Sequence, residues 1–119
     1  MAANIDITGF HKGEVVDIIF FAKNRDGSVL TSPATATVSM TIGGSPKDPP
    51  TLTFSTATSD ISLISAIEGS FRIILDNTDT STLAEGKTYY YNIWTWQTPT
   101  QKVLQAIGKF TLQNSVEPT

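Results

Sequence analysis

Few side chains in this 119-residue chain could do acid–base or nucleophilic chemistry, and those few are dispersed. His11 is the only histidine, and the chain has no cysteine. A Ser-His-Asp arrangement needs a histidine base held by an orienting partner, and no such partner for His11 can be named. The glycines around it, Gly9 and Gly13, predict a solvated loop. A cysteine nucleophile and a Cys-based zinc site are excluded. The sequence therefore predicts a protein that is not an enzyme.

The acidic residues offer one candidate metal site. Residues 76–80 (Asp-Asn-Thr-Asp-Thr) supply oxygen atoms, and Glu85 follows them. They lack the alternating acids and the central glycine of a calcium-binding loop. The favoured interpretation is a turn in which Thr78 or Asp79 caps a short helical turn near Leu83. No cofactor or metal is predicted.

Charge and the length of the apolar runs exclude two further classes of partner. The chain has 8 Lys and Arg against 11 Asp and Glu, a net charge of −3, and the basic residues are scattered. Binding to nucleic acid needs a basic stripe that displaces counterions, so no nucleic-acid partner is expected. No apolar run approaches the roughly 20 residues of a spanning helix, so no membrane partner is expected.

The elements that must position any site read as β-strands. Ser and Thr together number 29, and in residues 34–42 every even position is apolar while every odd position is Thr or Ser. A strand with one face on a core and one in water has this period of two. Asp17 is the only acid in the apolar run 15–23, which predicts a central strand covered on both sides or lying at an interface. We expect Asp17 itself to point outward.

Further strands are predicted along the chain, with turns marked by Gly, Pro, Asn and Asp. These segments are 51–55, 70–76, 88–96 and 103–112, with weaker candidates at 4–8 and 61–64 and at most one helical turn near 80–84. About seven short strands without a long amphipathic helix predict an all-β, antiparallel sandwich. One domain is expected over residues 1–119, with 1–10 and 113–119 as ends that dock on a neighbour or are mobile.

The segment before the aromatic strand resembles a known corner. Leu83, Gly86 and Tyr89 have the order Leu-x-x-Gly-x-x-Tyr, which resembles the E–F corner of fibronectin type III and related immunoglobulin-like domains. The resemblance implies that Tyr89 bonds back to upstream backbone, with Leu83 as its buried companion and Gly86 as the turn. The alternative is an ordinary hairpin with a core tyrosine.

If the corner places Tyr89 inward, period two places Tyr90, Trp94 and Trp96 on the opposite face. An exposed aromatic stripe of this kind is typical of protein interfaces, and aromatic faces also stack on sugars. The stripe is therefore the candidate binding site, for a protein or for a carbohydrate. The other alternative is a bulge that shifts the register and buries the tryptophans.

Most of the chain is similar to small immunoglobulin-like modules of tailed-phage virion proteins, notably the amino-terminal module of baseplate upper proteins. The resemblance is carried by residues 17–20, the Asn-Arg-Asp-Gly turn at 24–27, the strand at 34–42, residues 68–71 and 83–91, and the Gly-Lys-Phe-Thr-Leu strand at 108–112. Those baseplate proteins are longer, so a free-standing module is favoured here, such as a capsid decoration or tail-associated protein.

The resemblance implies a virion protein that is synthesised in a bacterial cytoplasm. Its partners would be other virion proteins, in a symmetric homo-oligomer or an assembly on a particle. Two other functions stay open: a carbohydrate- or receptor-binding module that uses the stripe, and a cytoplasmic enzyme inhibitor or chaperone with a similar fold.

Overall fold

Strands make up more than half of the residues that a computed structural model describes, which are residues 3–11, 13–44, 51–58, 60–84 and 86–113. The predicted all-β class is confirmed. The strands are β1 (Ala3–Asn4), β2 (Ile7–His11), β3 (Val16–Phe21), β4 (Thr37–Gly43), β5 (Leu52–Ser55), β6 (Ile61–Ser65), β7 (Ser70–Leu75), β8 (Thr88–Trp96) and β9 (Val103–Gln113). One short helix, α1 (Asn77–Ser81), and two 3-10 turns (Pro33–Thr35 and Thr56–Thr58) complete the described elements.

The strands form two sheets. The larger has the order β1-β9-β8-β4-β5, with β2 also paired to β9, and the smaller has the order β3-β7-β6. The prediction of a purely antiparallel arrangement is wrong at one edge, because β1 and β2 both run parallel to β9. The other strand pairs among the described residues are antiparallel. The larger sheet is therefore mixed.

The count of about seven strands is not confirmed, because the amino-terminal edge is interrupted. β1 and β2 pair with successive parts of β9, and the register shifts between Ile7 and Phe10. Gly9 lies at this irregularity with φ of +90°, a conformation that glycine adopts without steric cost. A glycine at positive φ is typical of a β-bulge.

Alternating side chains from both sheets fill one core. Ala36, Val38, Met40 and Ile42 are buried, as the period of two predicts. Ala34 departs from the prediction: it lies exposed in the 3-10 turn that begins at Pro33, and β4 starts only at Thr37. Proline fixes φ and has no N–H to donate, which favours the turn over an extension of the strand.

The prediction for residues 15–23 is also corrected. β3 is not a central strand, because within the described residues it pairs with β7 alone. It is an edge strand with its inner face on the core and its outer face uncovered: Val16 is buried, whereas Ile19 is 55% and Phe21 52% exposed. The apolar residues on the outer face of β3 are therefore exposed, and are not buried between two layers.

The turn after β7 contains α1 and differs from the predicted cap. Asp76, and not Thr78 or Asp79, is the N-cap residue, and its side chain accepts a hydrogen bond from Asp79 N. The Asp79 carboxylate in turn accepts from Asp76 N at 3.0 Å, so the two residues form a capping box. Burial raises the pKa of Asp79, while the hydrogen bond that its carboxylate accepts from Asp76 N acts in the opposite direction.

Candidate functional site

The predicted catalytic and metal-binding candidates are not brought together. His11 lies at the end of β2, half-buried, and not in a solvated loop as predicted. Its Nδ1 is buried without a hydrogen-bond partner among the described residues. Within those residues, no group of three or more His, Asp or Glu side chains could hold a metal ion. Glu85, the last of the predicted oxygen donors, lies outside the described residues. No helix in the described part of the chain is long and apolar enough to cross a membrane.

The three residues of the proposed corner lie together before and at the start of β8. Leu83 is 1% exposed and Tyr89 is 5% exposed. The Tyr89 hydroxyl accepts a hydrogen bond from Ala84 N at 2.9 Å. Gly86 has φ of +75°, and its N–H donates to Leu112 O on β9. This hydrogen bond holds the segment before β8 against β9, where β8 begins.

We predict that Tyr89→Phe lowers the free energy of unfolding by about 1 kcal/mol, because the change removes the acceptor of Ala84 N and leaves the packing of the ring in place. Urea denaturation would measure the loss. Tyr90→Phe is the matched control, since it removes the same hydroxyl from the next position of β8, on the opposite and half-buried face. Equal stability of the two variants would contradict the prediction.

The aromatic stripe lies on the outer face of the larger sheet but is not fully exposed. Tyr90, Trp94 and Trp96 are all half-buried, while Tyr89 and Tyr91 between and beside them are buried. A bulge does occur between β8 and β9 at Ile93/Trp94, yet the alternation along β8 continues through it. The extra residue lies on β9, so β8 keeps its register towards the core.

Trp96 lies in a different environment from Tyr90 and Trp94. It lines an open cleft of about 680 Å³ at one end of the molecule, between residues 24–31 and 95–103. The Lys102 ammonium lies 4.6 Å from the centre of its ring. Polar groups of the cleft are used internally: the Gln97 amide donates to Thr31 O and Ser32 O, both at 2.9 Å. The cleft therefore presents one aromatic wall whose face is already in contact with a cation.

A second surface, which the sequence analysis did not single out as a site, lies on the smaller sheet. Nine large hydrophobic residues are exposed in the described part of the chain, and four of them share the outer face of this sheet. We call these four the apolar face: Ile19 (55% exposed), Phe21 (52%), Ile64 (52%) and Ile74 (42%). Exposed apolar side chains grouped in this way mark interaction surfaces more often than isolated ones do.

An ion pair crosses the apolar face. Asp17 on β3 accepts two hydrogen bonds from Arg72 Nε, at 2.9 and 3.0 Å, and another from Arg72 Nη2. The hydrogen bonds from Arg72, and then its charge, lower the pKa of Asp17. Asp17 points outward from a sheet edge, as the sequence predicted, and the pair leaves the face without net charge.

We predict that Arg72→Gln raises the pKa of Asp17 towards its ordinary value, since both the charged donor and its Coulomb attraction are lost. A lowered pKa in the folded state stabilises the fold above the unfolded pKa, and that stabilisation is lost as pH falls through the folded value. The variant should therefore lose less stability on acidification. NMR titration of the Asp17 carboxyl would measure the shift; Arg25→Gln is the control, because Arg25 lines the end cleft and its guanidinium donates to Lys102 O instead of to Asp17. An unchanged titration in Arg72→Gln would refute the prediction.

A signal for the apolar face was present in the sequence. The run Ile18-Ile19-Phe20-Phe21 is apolar on both faces, and Ile73-Ile74 repeats the pattern on the neighbouring strand. Such a run indicates either a covered strand or an interface, and the local pattern alone does not separate the two. No protein-family model matches this chain. No curated protein is significantly similar to it.

Proposed function

We propose that this chain is a non-enzymatic structural module of a tailed-phage virion, such as a capsid decoration or tail-associated protein, which holds neighbouring proteins through the apolar face. The observation that carries the proposal is the grouping of Ile19, Phe21, Ile64 and Ile74 on one face of a three-stranded sheet. Removing such apolar area from water is favourable, by about 25 cal/mol per Å².

The finer description of the fold belongs to the same proposal. We interpret the two sheets as an immunoglobulin-like sandwich, in which β3, β7 and β6 correspond to strands B, E and D, and β9, β8, β4 and β5 to strands G, F, C and C′. The hydrogen bond from Ala84 N to the Tyr89 hydroxyl supports this interpretation, because it is the contact of a tyrosine corner.

Purified virions of the phage that encodes the chain test the proposal. Mass spectrometry should detect the wild-type chain in the particles, and its absence would overturn the proposal. A chain carrying Ile64→Lys should be incorporated at least about tenfold less, since an unpaired ammonium in an apolar contact costs more than the roughly 1.4 kcal/mol of a tenfold effect.

The matched control for this experiment is Thr53→Lys, which places the same charge on an exposed position of β5 in the other sheet. Normal incorporation of Thr53→Lys would attribute the loss to the apolar face. Equal incorporation of both variants would overturn the assignment of the contact to that face.

The alternative proposal is a carbohydrate- or receptor-binding module that uses Tyr90, Trp94 and Trp96. The end cleft favours it, because Trp96 lies there beside the side chains of Asp26 and Gln101. Lys102 over the Trp96 ring weighs against it, since a sugar would have to displace the ammonium before stacking. Glycan-array binding with a change in Trp fluorescence that Trp96→Ala abolishes would support this function; no response to any glycan would remove it.

A further inference from the structure

The hydrogen-bonding pattern of β3 shows which of its backbone groups are free. Ala22 N donates to Gly69 O at 2.9 Å, one residue beyond the last pair of β3 and β7, so the N–H of residue 22 points towards the chain of β7. Hydrogen-bonded and non-hydrogen-bonded pairs alternate along an antiparallel ladder. Val16, Ile18 and Phe20 therefore bond to β7, while the N–H and C=O groups of Asp17, Ile19 and Phe21 point away from it.

No strand in the described part of the chain pairs with this second edge. Proteins commonly protect an edge strand with proline, a bulge or an unpaired charge. β3 has no proline, no register shift and one charge, and that charge is already compensated by Arg72. Among the residues that the structure describes, nothing therefore stops this edge from pairing with another strand.

We propose that two copies of this chain associate through antiparallel pairing of β3 with β3 of the second copy, which joins the two small sheets into one six-stranded sheet. The inference rests on the proposed function, because it takes the smaller sheet as a contact surface. It adds that the partner at the edge of this sheet is a second copy of the chain. A second copy fits because a two-fold axis perpendicular to the sheet pairs the edge with itself and places both apolar faces on the same side.

The free backbone groups select one register. Residues opposite each other must both point to the free edge and share a face, so odd positions pair with odd positions. Pairing Asp17 with Lys23 of the second copy is disfavoured, because the Lys23 N–H and C=O are already bonded to the Gln105 amide at 2.9 and 2.7 Å. A register shifted the other way requires Val15, which lies outside β3. The remaining register centres on Ile19.

Side chains are complementary in this register. Ile19 lies opposite Ile19 of the second copy, and Phe21 lies opposite Asp17. Lys23 of one copy is then a diagonal neighbour of Asp17 of the other, at a distance that a long side chain can reach. The two symmetric contacts pair opposite charges, and no like charges face each other across the two-fold axis.

Sedimentation of the purified full chain tests the proposal without particles. The wild type should reach twice its mass of 12.9 kDa, and Ile19→Lys should sediment as a monomer because two ammonium groups would meet at the axis. Ile64→Lys is the matched control, since Ile64 has nearly the same exposure on the same face but lies on β6, and it should stay dimeric. A monomeric wild type, a dimeric Ile19→Lys or a monomeric Ile64→Lys would each overturn the edge pairing.

The register has its own test, which the absence of native cysteine simplifies. A hydrogen-bonded pair at the axis has Cα atoms about 5.5 Å apart, within disulfide range. Ile19→Cys should therefore form a covalent dimer on mild oxidation, whereas Ile64→Cys should not. Failure of Ile19→Cys to cross-link, or equal cross-linking of both variants, would overturn the register. Incorporation of a monomeric chain into virions would overturn only the self-association and leave the proposed function in place.

Discussion

Gly108→Ala should lower the free energy of unfolding by about 3 kcal/mol, the upper end of the usual cost of overpacking. A Cβ at position 108 would lie 2.0 Å from Ile5 O and 2.7 Å from Ile5 C. Both atoms belong to the backbone, so no side-chain rotation relieves the clash. The Tyr91 ring, 3.0 Å from the same point, closes the other side.

The residues around Gly108 explain why the chain does not simply move aside. Ile5 N donates to Ile107 O at 3.0 Å, Lys109 N donates to Asp6 Oδ1 at 3.0 Å, and the Tyr91 hydroxyl donates to Ile5 O. Burial raises the pKa of Tyr91, so its hydroxyl keeps the proton that it donates. Displacing Ile5 breaks these bonds and releases β1 from β9.

Urea denaturation would measure the stability of Gly108→Ala, and hydrogen exchange at the Ile5 amide would report the release of the amino-terminal edge. Gly27→Ala is the informative control: Gly27 has φ of +89° with no atom within 4 Å of an added Cβ. It should cost about 1 kcal/mol of conformational strain and leave Ile5 protected. Wild-type stability with a protected Ile5 amide in Gly108→Ala would contradict the prediction.

Gly108 also illustrates what local pattern does not encode. The alternation of β4 is a local property, so the sequence predicted that Val38, Met40 and Ile42 face the core, and they do. The parallel pairing of β1 and β2 with β9 joins residues about a hundred positions apart. It depends on a close backbone approach that only glycine permits, and a single glycine in an otherwise regular strand predicts a bulge as readily as a contact.

The candidate binding site could likewise be predicted only in part. The face that each β8 residue adopts follows from period two, so the sequence placed Tyr90 and Trp94 on one side. Their half-burial depends on neighbours from β4 and β9, such as Ser39 and Leu104 opposite Trp94, which period two does not specify. For β3 the pattern was satisfied equally by a covered strand and by an interface. Strand order decides between these, and strand order is a long-range property.

Gln105 shows how a residue outside the periodic pattern can connect the two sheets. It is the extra residue of the β9 bulge, because Ile93 pairs with Ala106 while Trp94 pairs with Leu104. Its amide donates to Lys23 O at 2.7 Å and to Thr95 Oγ1 at 2.8 Å, and accepts from Lys23 N at 2.9 Å. The bulge thereby turns one polar side chain of the larger sheet towards the end of β3.

Gln105→Leu should lower the free energy of unfolding by about 2 kcal/mol. Thr95 is fully buried, so loss of the amide leaves its hydroxyl without that hydrogen bond, while the exposed Lys23 backbone can turn to water. Gln101→Leu, an exposed loop position of the same chemistry, should change stability by less than about 0.5 kcal/mol. Urea denaturation of both variants measures the difference, and equal values would contradict the bridging role.

Gln105→Leu should also free the edge-facing groups of Lys23, which makes the register that pairs Asp17 with Lys23 accessible to a second copy. In that background the Ile19→Cys cross-link should form less efficiently, whereas an undiminished yield would show that Gln105 does not set the register.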